Sequence, residues 1–211
     1  MKQLVLSPEA YIGVQKNRKK AYANNVIYLD NNQEFQIELY NPTSNVLGAE
    51  IWLNDALSST SKLVLKPGER VWIDRYLDTN KKYLFNTYEI KDTKQNQEAI
   101  KNNGKVTIKF YKESNYINGI TWTNTTGNFY PQTYPTYPTY YTYASADTGT
   151  ISDTGTIFCS STTNIDTGRV EKGKESKQKF ESVSYEFDSS PTEIVEYHLM
   201  PTSQKKTIET D

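Results

Sequence analysis

One cysteine and one histidine among 211 residues leave little for the commoner kinds of side-chain chemistry to work with. Cys159, being alone, excludes a disulfide within the chain and any cysteine-built zinc site, and is read as a small buried or interfacial hydrophobe rather than a reactive thiol. His198 rules out a multi-histidine metal site and handicaps any Ser-His-Asp or Cys-His arrangement; its place in an alternating run suits a surface or interface role. No glycine-rich loop is arranged to cradle a phosphate. No cofactor and no metal are expected.

Charge of one sign is missing too. The 24 Lys and Arg are interleaved with 25 Asp and Glu, a net charge of -1, so no basic stripe exists to track a nucleic-acid backbone. No stretch approaches the roughly 18 apolar residues of a membrane span, and the apolar piece in Met1 to Pro8 is too short for a signal peptide. The expectation is a chain made in a cytoplasm, with neither membrane nor nucleic acid as partner. A hydrophobic fraction of 36% and a mean hydropathy of -0.75 are low for one compact unit, so part of the length is expected to lie extended or on a surface.

What the chain does have is tyrosine, 17 of them against seven Phe and three Trp. Tyr pairs a broad apolar body with a hydroxyl that tolerates water, which suits interfaces as well as cores. The clearest local pattern is Lys62 to Ile90. Leu63 and Leu65 lead into the turn Lys66-Pro67-Gly68-Glu69; Val71 and Ile73 then alternate with Arg70, Trp72 and Asp74, and an aromatic and β-branched run spans Tyr83 to Ile90. Similar alternation marks Val26 to Leu29, Phe35 to Tyr40, Ala49 to Leu53 and Val106 to Tyr111, with Asn41-Pro42-Thr43 closing a strand. Asn96 to Gly104 reads as one or two helical turns closed by Gly. About seven short strands at this spacing predict an all-β fold with an antiparallel β-sandwich over 26–113.

Around that sandwich three further segments are expected. Residues 1–25 form an N-terminal arm whose basic run, Lys16 to Lys20, is solvated or orders on an acidic partner. Residues 114–150, with Tyr130-Pro131, Tyr134-Pro135 and Tyr137-Pro138, form an extended arm lying on a neighbouring subunit or back on the sandwich. Residues 151–211 supply a C-terminal β segment with a polar tail, its hairpin made from Val183 to Asp188 and Ile194 to Met200. Asp-Thr-Gly occurs at Asp147, Asp153 and Asp166. Aspartic proteases use that tripeptide, but the flanks lack an apolar lead-in strand, and all three copies are read as turns. Paired carboxylates for glycoside cleavage can converge from distant loops and stay open at this point.

Asn41-Pro42-Thr43, Leu65 to Arg70, Asp74 to Asp78, Glu98 to Gly104 and Phe110 to Glu113, with Thr167 to Gly173, Ser176 to Phe180 and Leu199-Met200-Pro201, resemble virion proteins of tailed bacteriophages, in particular head-fibre, head-decorating or auxiliary capsid proteins of crAss-like phages. These are strand-and-turn signatures and carry no catalytic residue. The resemblance implies a non-enzymatic structural protein located in the virion, bound to the major capsid protein or other virion proteins and homo-oligomeric. Candidate interface anchors are Trp52, Trp72, Trp122, Tyr134, Tyr137 and Tyr140, with core packing the competing reading for each, above all for Trp52 and Trp72. The alternative is a carbohydrate-binding adhesive module that takes surface glycans. A dimeric Asp-Thr-Gly peptidase is a distant third.

Overall fold

Alternation along each strand decides which side chains meet between two stacked sheets and which face outward. The computed structural model describes residues 6–114 and 164–205. The described residues fall within one compact unit, residues 1–115 with 162–211. In chain order the elements are β1 (Glu9–Val14), β2 (Asn17–Arg18), β3 (Val26–Leu29), β4 (Gln33–Tyr40), β5 (Leu47–Leu53), β6 (Ala56–Leu57), β7 (Leu63–Leu65), β8 (Arg70–Ile73), β9 (Lys81–Lys91), α1 (Lys94–Ile100), β10 (Lys105–Lys112), β11 (Asn164–Glu175) and β12 (Glu193–Pro201).

Two six-stranded sheets result. Sheet I runs β11-β9-β4-β1-β2, with β8 also on β4; sheet II runs β3-β12-β10-β5-β6, with β7 also on β5. Every pairing is antiparallel except β12 with β3. Phe35, Ile37, Leu39, Tyr83 and Phe85 of sheet I pack into one core with Leu47, Ile51, Val106, Ile108 and Phe110 of sheet II. The all-β sandwich is therefore present, with one short helix capped by Thr93, whose hydroxyl accepts from the Asn96 N–H.

Several boundaries differ from the sequence-based expectation. Residues 9–14 are not part of an arm: β1 lies between β4 and β2, and Ala10 and Ile12 enter the core. The basic run after it forms the exposed β1–β2 hairpin, with Gln15 and Lys16 both at positive φ. Nor is there a separate C-terminal β unit, since β11 joins sheet I and β12 sits between β3 and β10 in sheet II. The expected hairpin does not form, because Val183 to Glu186 makes no ladder and β12 takes its partners from β10 and β3. The turn Lys66 to Glu69 joins different sheets, as β7 pairs with β5 and β8 with β4. The Tyr/Pro arm and the first two Asp-Thr-Gly copies lie outside the described residues.

The third Asp-Thr-Gly is strand, not turn. Asp166, Thr167 and Gly168 stand opposite Glu89, Tyr88 and Thr87 in the β11–β9 ladder. Gly168 is there for space: a Cβ would come 2.1 Å from Phe85 Cζ, inside the core. Gly104 has a related duty after α1, where φ is +71° and a Cβ would meet the Leu199 carbonyl oxygen at 2.3 Å. Gly168→Ala is expected to destabilise the protein by about 1–3 kcal/mol, as overpacking does. Part of that loss should return in the double variant with Phe85→Leu; equilibrium denaturation of the single and double variants measures the coupling.

Candidate interaction surfaces

The outward faces of both sheets carry the polar and aromatic side chains left over once the core is filled. On sheet II, Gly48, Glu50 and Trp52 of β5 alternate with core residues and stand beside Tyr111, Lys109 and Thr107 of β10 respectively. Leu57 of β6 lies opposite Trp52, and Ile194 of β12 opposite Lys109. Phe187 folds over Gly48, where a Cβ would sit 2.9 Å from its ring, and stacks against Tyr185 with centroids 6.1 Å apart. The face is thus a shelf of aromatic and aliphatic side chains, with Ile194 48% and Leu57 39% exposed.

Glu50 organises that shelf. It receives hydrogen bonds from Tyr111 Oη at 2.7 Å and Trp52 Nε1 at 3.3 Å, and pairs with Lys62 Nζ at 2.9 Å. Burial alone would raise its pKa, but Lys62, Tyr111 and Trp52 outweigh burial and the net shift is downward. Tyr111 is pushed up to about 12, by burial first and then by the bond it donates to the Glu50 carboxylate. Lys109 Nζ lies 4.0 Å from the centroid of the Trp52 ring and Lys62 Nζ 4.5 Å from that of Tyr111, so each aromatic plane is shared with a cation.

Sheet I presents a different arrangement. Glu38 points outward from β4 yet is 3% exposed, because Arg18 and Arg70 close over it from opposite sides. Arg18 donates from Nε at 2.5 Å and Nη2 at 3.0 Å, and Arg70 donates from Nη1 at 2.5 Å. Each guanidinium also stacks on a tyrosine, Arg18 on Tyr11 at 3.7 Å and Arg70 on Tyr40 at 3.9 Å. The Arg18 hydrogen bond is the largest influence on Glu38 and holds its pKa below the usual carboxylate range against the opposing effect of burial; the Arg18 pKa is raised in return. Trp72 flanks this cluster and packs on Gly13, where a Cβ would be 2.5 Å from Trp72 Cζ3. Next to it an open groove of about 730 Å³ is lined by amides of Gln15, Asn32, Gln33 and Gln36, by Glu34, Asp74, Lys82, Lys172 and Lys174, and by Val14 and Leu84.

Trp52 and Trp72, two of the three tryptophans named from sequence, therefore lie on opposite outer faces, half-buried, and do not share a site. Trp122, Tyr134, Tyr137, Tyr140 and Cys159 lie outside the described residues. Tyr111, Phe187, Ile194 and the pair Tyr11 and Tyr40 went unnamed, although the alternation of Lys109 and Tyr111 with core residues was a readable sign of their outward direction. His198 is half-buried on β12 opposite Lys105 and Val26, and among the described residues no group of three His, Cys, Asp or Glu side chains is placed to hold a metal.

The Glu38 cluster has a definite pH dependence. A carboxyl whose folded pKa is depressed adds stability above its unfolded value, about 4.3 for Glu, and that contribution disappears as pH falls through the folded value. Glu38→Gln is expected to cost about 1–2 kcal/mol at neutral pH, the arginines being partly exposed. The gap to the native protein should close below about pH 4, as urea titrations at several pH values would measure.

Compared with protein-family models, with curated proteins and with solved structures, the chain matches none of them.

Proposed function

We propose that this is a non-enzymatic structural protein of a phage virion, a capsid-decorating or head-fibre subunit that binds the shell through the outer face of sheet II. The supporting observation is the shelf of Trp52, Leu57, Phe187 and Ile194, laid around the buried Tyr111 and set among Lys62, Lys109, Glu50 and Glu196. Exposed apolar area rimmed by both charge signs is what a protein interface needs: burial supplies the affinity, and the charges fix register. Branched aliphatics such as Ile194 and Leu57 offer neither hydrogen bonds nor a flat ring to a sugar, which favours a protein partner for this face. The virion assignment itself rests on the resemblance of the strand-and-turn segments.

The adhesive reading draws on a different place, the sheet I groove. Its amide groups from Gln15, Asn32, Gln33 and Gln36 beside Leu84 and Val14 supply donors, acceptors and an apolar floor, the combination a polyhydroxylated ligand uses. A head fibre can combine the two roles on its two faces.

Co-sedimentation of the purified chain with emptied phage capsids tests the first reading. Ile194→Asp, at an exposed position with little effect on stability, is expected to weaken association tenfold or more, as loss of an interface anchor does. Equal sedimentation of both proteins, or none of either, counts against it. Retention on glycan arrays that Gln36→Ala abolishes and Ile194→Asp leaves unchanged would shift the assignment to the groove.

A further inference from the structure

Glu181 to Phe187 has the sequence of a β-strand, yet among the described residues only its last member, Phe187, meets another strand, in a single antiparallel bridge to Glu113. Val183, Tyr185 and Phe187 alternate with Ser182, Ser184 and Glu186, the pattern of a half-buried strand. In the fold, residues 181–186 are all exposed, Val183 at 60% and Tyr185 at 37%. From Lys179 to Tyr185 no backbone N–H or C=O has a partner among the described residues.

The segment is nevertheless fastened at both ends. At one end, Gln178 grips β8 and its continuation, donating Nε2 to the Trp72 carbonyl at 2.7 Å and accepting from Asp74 N–H at 3.1 Å, while Ser176 Oγ donates to Asp74 Oδ1 at 2.7 Å. Phe180 lies under the Arg75 guanidinium. At the other end, Phe187 covers Gly48, Ser114 N–H donates to the Glu186 carbonyl at 2.9 Å and Asp188 N–H donates to the Lys112 carbonyl at 2.9 Å. Those two bonds set the parity. Glu186 and Asp188 turn their backbone groups toward β10, so Phe187, bridged to Glu113, turns its own to the opposite, open side; the same alternation carried back along an extended path assigns Tyr185 and Val183 to that side.

We propose that Glu181 to Phe187 is an assembly strand that pairs antiparallel with the same segment of a second copy of this chain. Centred on Ser184, that pairing sets Val183 opposite Tyr185 twice, joined through the backbone groups that face the open side. β-branched opposite aromatic is a favoured cross-strand pair. Ser182 then meets Glu186 and Glu181 meets Phe187, so no like charges stand opposite one another. An exposed alternating edge with anchored ends is a template for strand addition, and proteins that have no use for one blunt it with lysine or proline. No residue from Glu181 to Phe187 is either. The inference deepens the assembly role proposed above, but its test needs no capsid, so the two can fail separately.

In a Cys159→Ser background, Ser184→Cys places the new thiol on the two-fold axis at a non-hydrogen-bonded pair, where Cα atoms are about 4.5 Å apart and a disulfide fits. Mild oxidation of the full chain is expected to give a disulfide-linked dimer, whereas Lys179→Cys, facing Ser189 of the other copy, gives none. Sedimentation should show the unmodified protein dimerising with concentration, and Val183→Pro, which removes an N–H on the open side, shifting it to monomer with an unchanged melting temperature. A protein monomeric at every concentration overturns the proposal, whether the edge is filled by the chain that follows Ser114 or by an unrelated protein. So does a dimer insensitive to Val183→Pro in which Ser184→Cys does not link; should Val183→Pro fail to fold, the cross-link decides.

Discussion

Asn41 is the point on which the two-sheet arrangement depends. It is fully buried where β4 ends, and its side chain is saturated: Nδ2 donates to the carbonyls of Asn45 at 2.8 Å, Leu65 at 3.0 Å and Lys66 at 3.2 Å, while Oδ1 accepts from the Thr43 N–H and hydroxyl. Its backbone is used as well, donating to the Glu69 carbonyl at 2.9 Å and accepting from the Gly68 N–H at 2.8 Å. One residue thus ties the end of a sheet I strand to β7 of sheet II and to the turn that carries the chain back to β8. A buried amide left half-satisfied is costly, so this geometry tolerates few alternatives.

The outer faces follow from how the core is filled. With Phe85 pressed on Gly168 and the odd residues of β5 packed inward, Trp52, Glu50 and Gly48 have only the outside of sheet II to occupy. Glycines then allow large rings to lie close to the sheet: Trp72 settles over Gly13 and Phe187 over Gly48. The outcome is two unlike surfaces on one sandwich, an apolar shelf gathered around Glu50 and a guanidinium cluster closed over Glu38. Each carboxylate is the low-pKa centre of its group because hydrogen-bond donors surround it.

Both surfaces share one device, a cation lying over an aromatic ring. Cations over aromatic rings, Lys109 on Trp52 and Arg70 on Tyr40 among them, keep both faces wettable. The segment 176–188 links the two sheets along their open side, fastened by Gln178 on one and Phe187 on the other.

Local signals read directly from sequence include β4, β5, β8, β9 and β10, the short helix before Gly104, and the punctuation at Asn41-Pro42 and Pro67-Gly68, since period-2 alternation and turn chemistry belong to the residues themselves. The direction of Trp72, opposite to that of Val71 and Ile73, was legible in the same way, while the sequence pattern leaves Trp52 between core and surface. What tertiary structure alone decided was pairing. That β1 belongs beside β4, that β7 and β8 separate into different sheets, that Asp166-Thr167-Gly168 is strand on β9 with Phe85 filling the space a side chain would take, and that Val183 to Tyr185 stays outside both ladders are all facts about distant partners. A strand pattern announces a need for hydrogen bonds and a buried face, while which neighbour meets that need is settled across the fold.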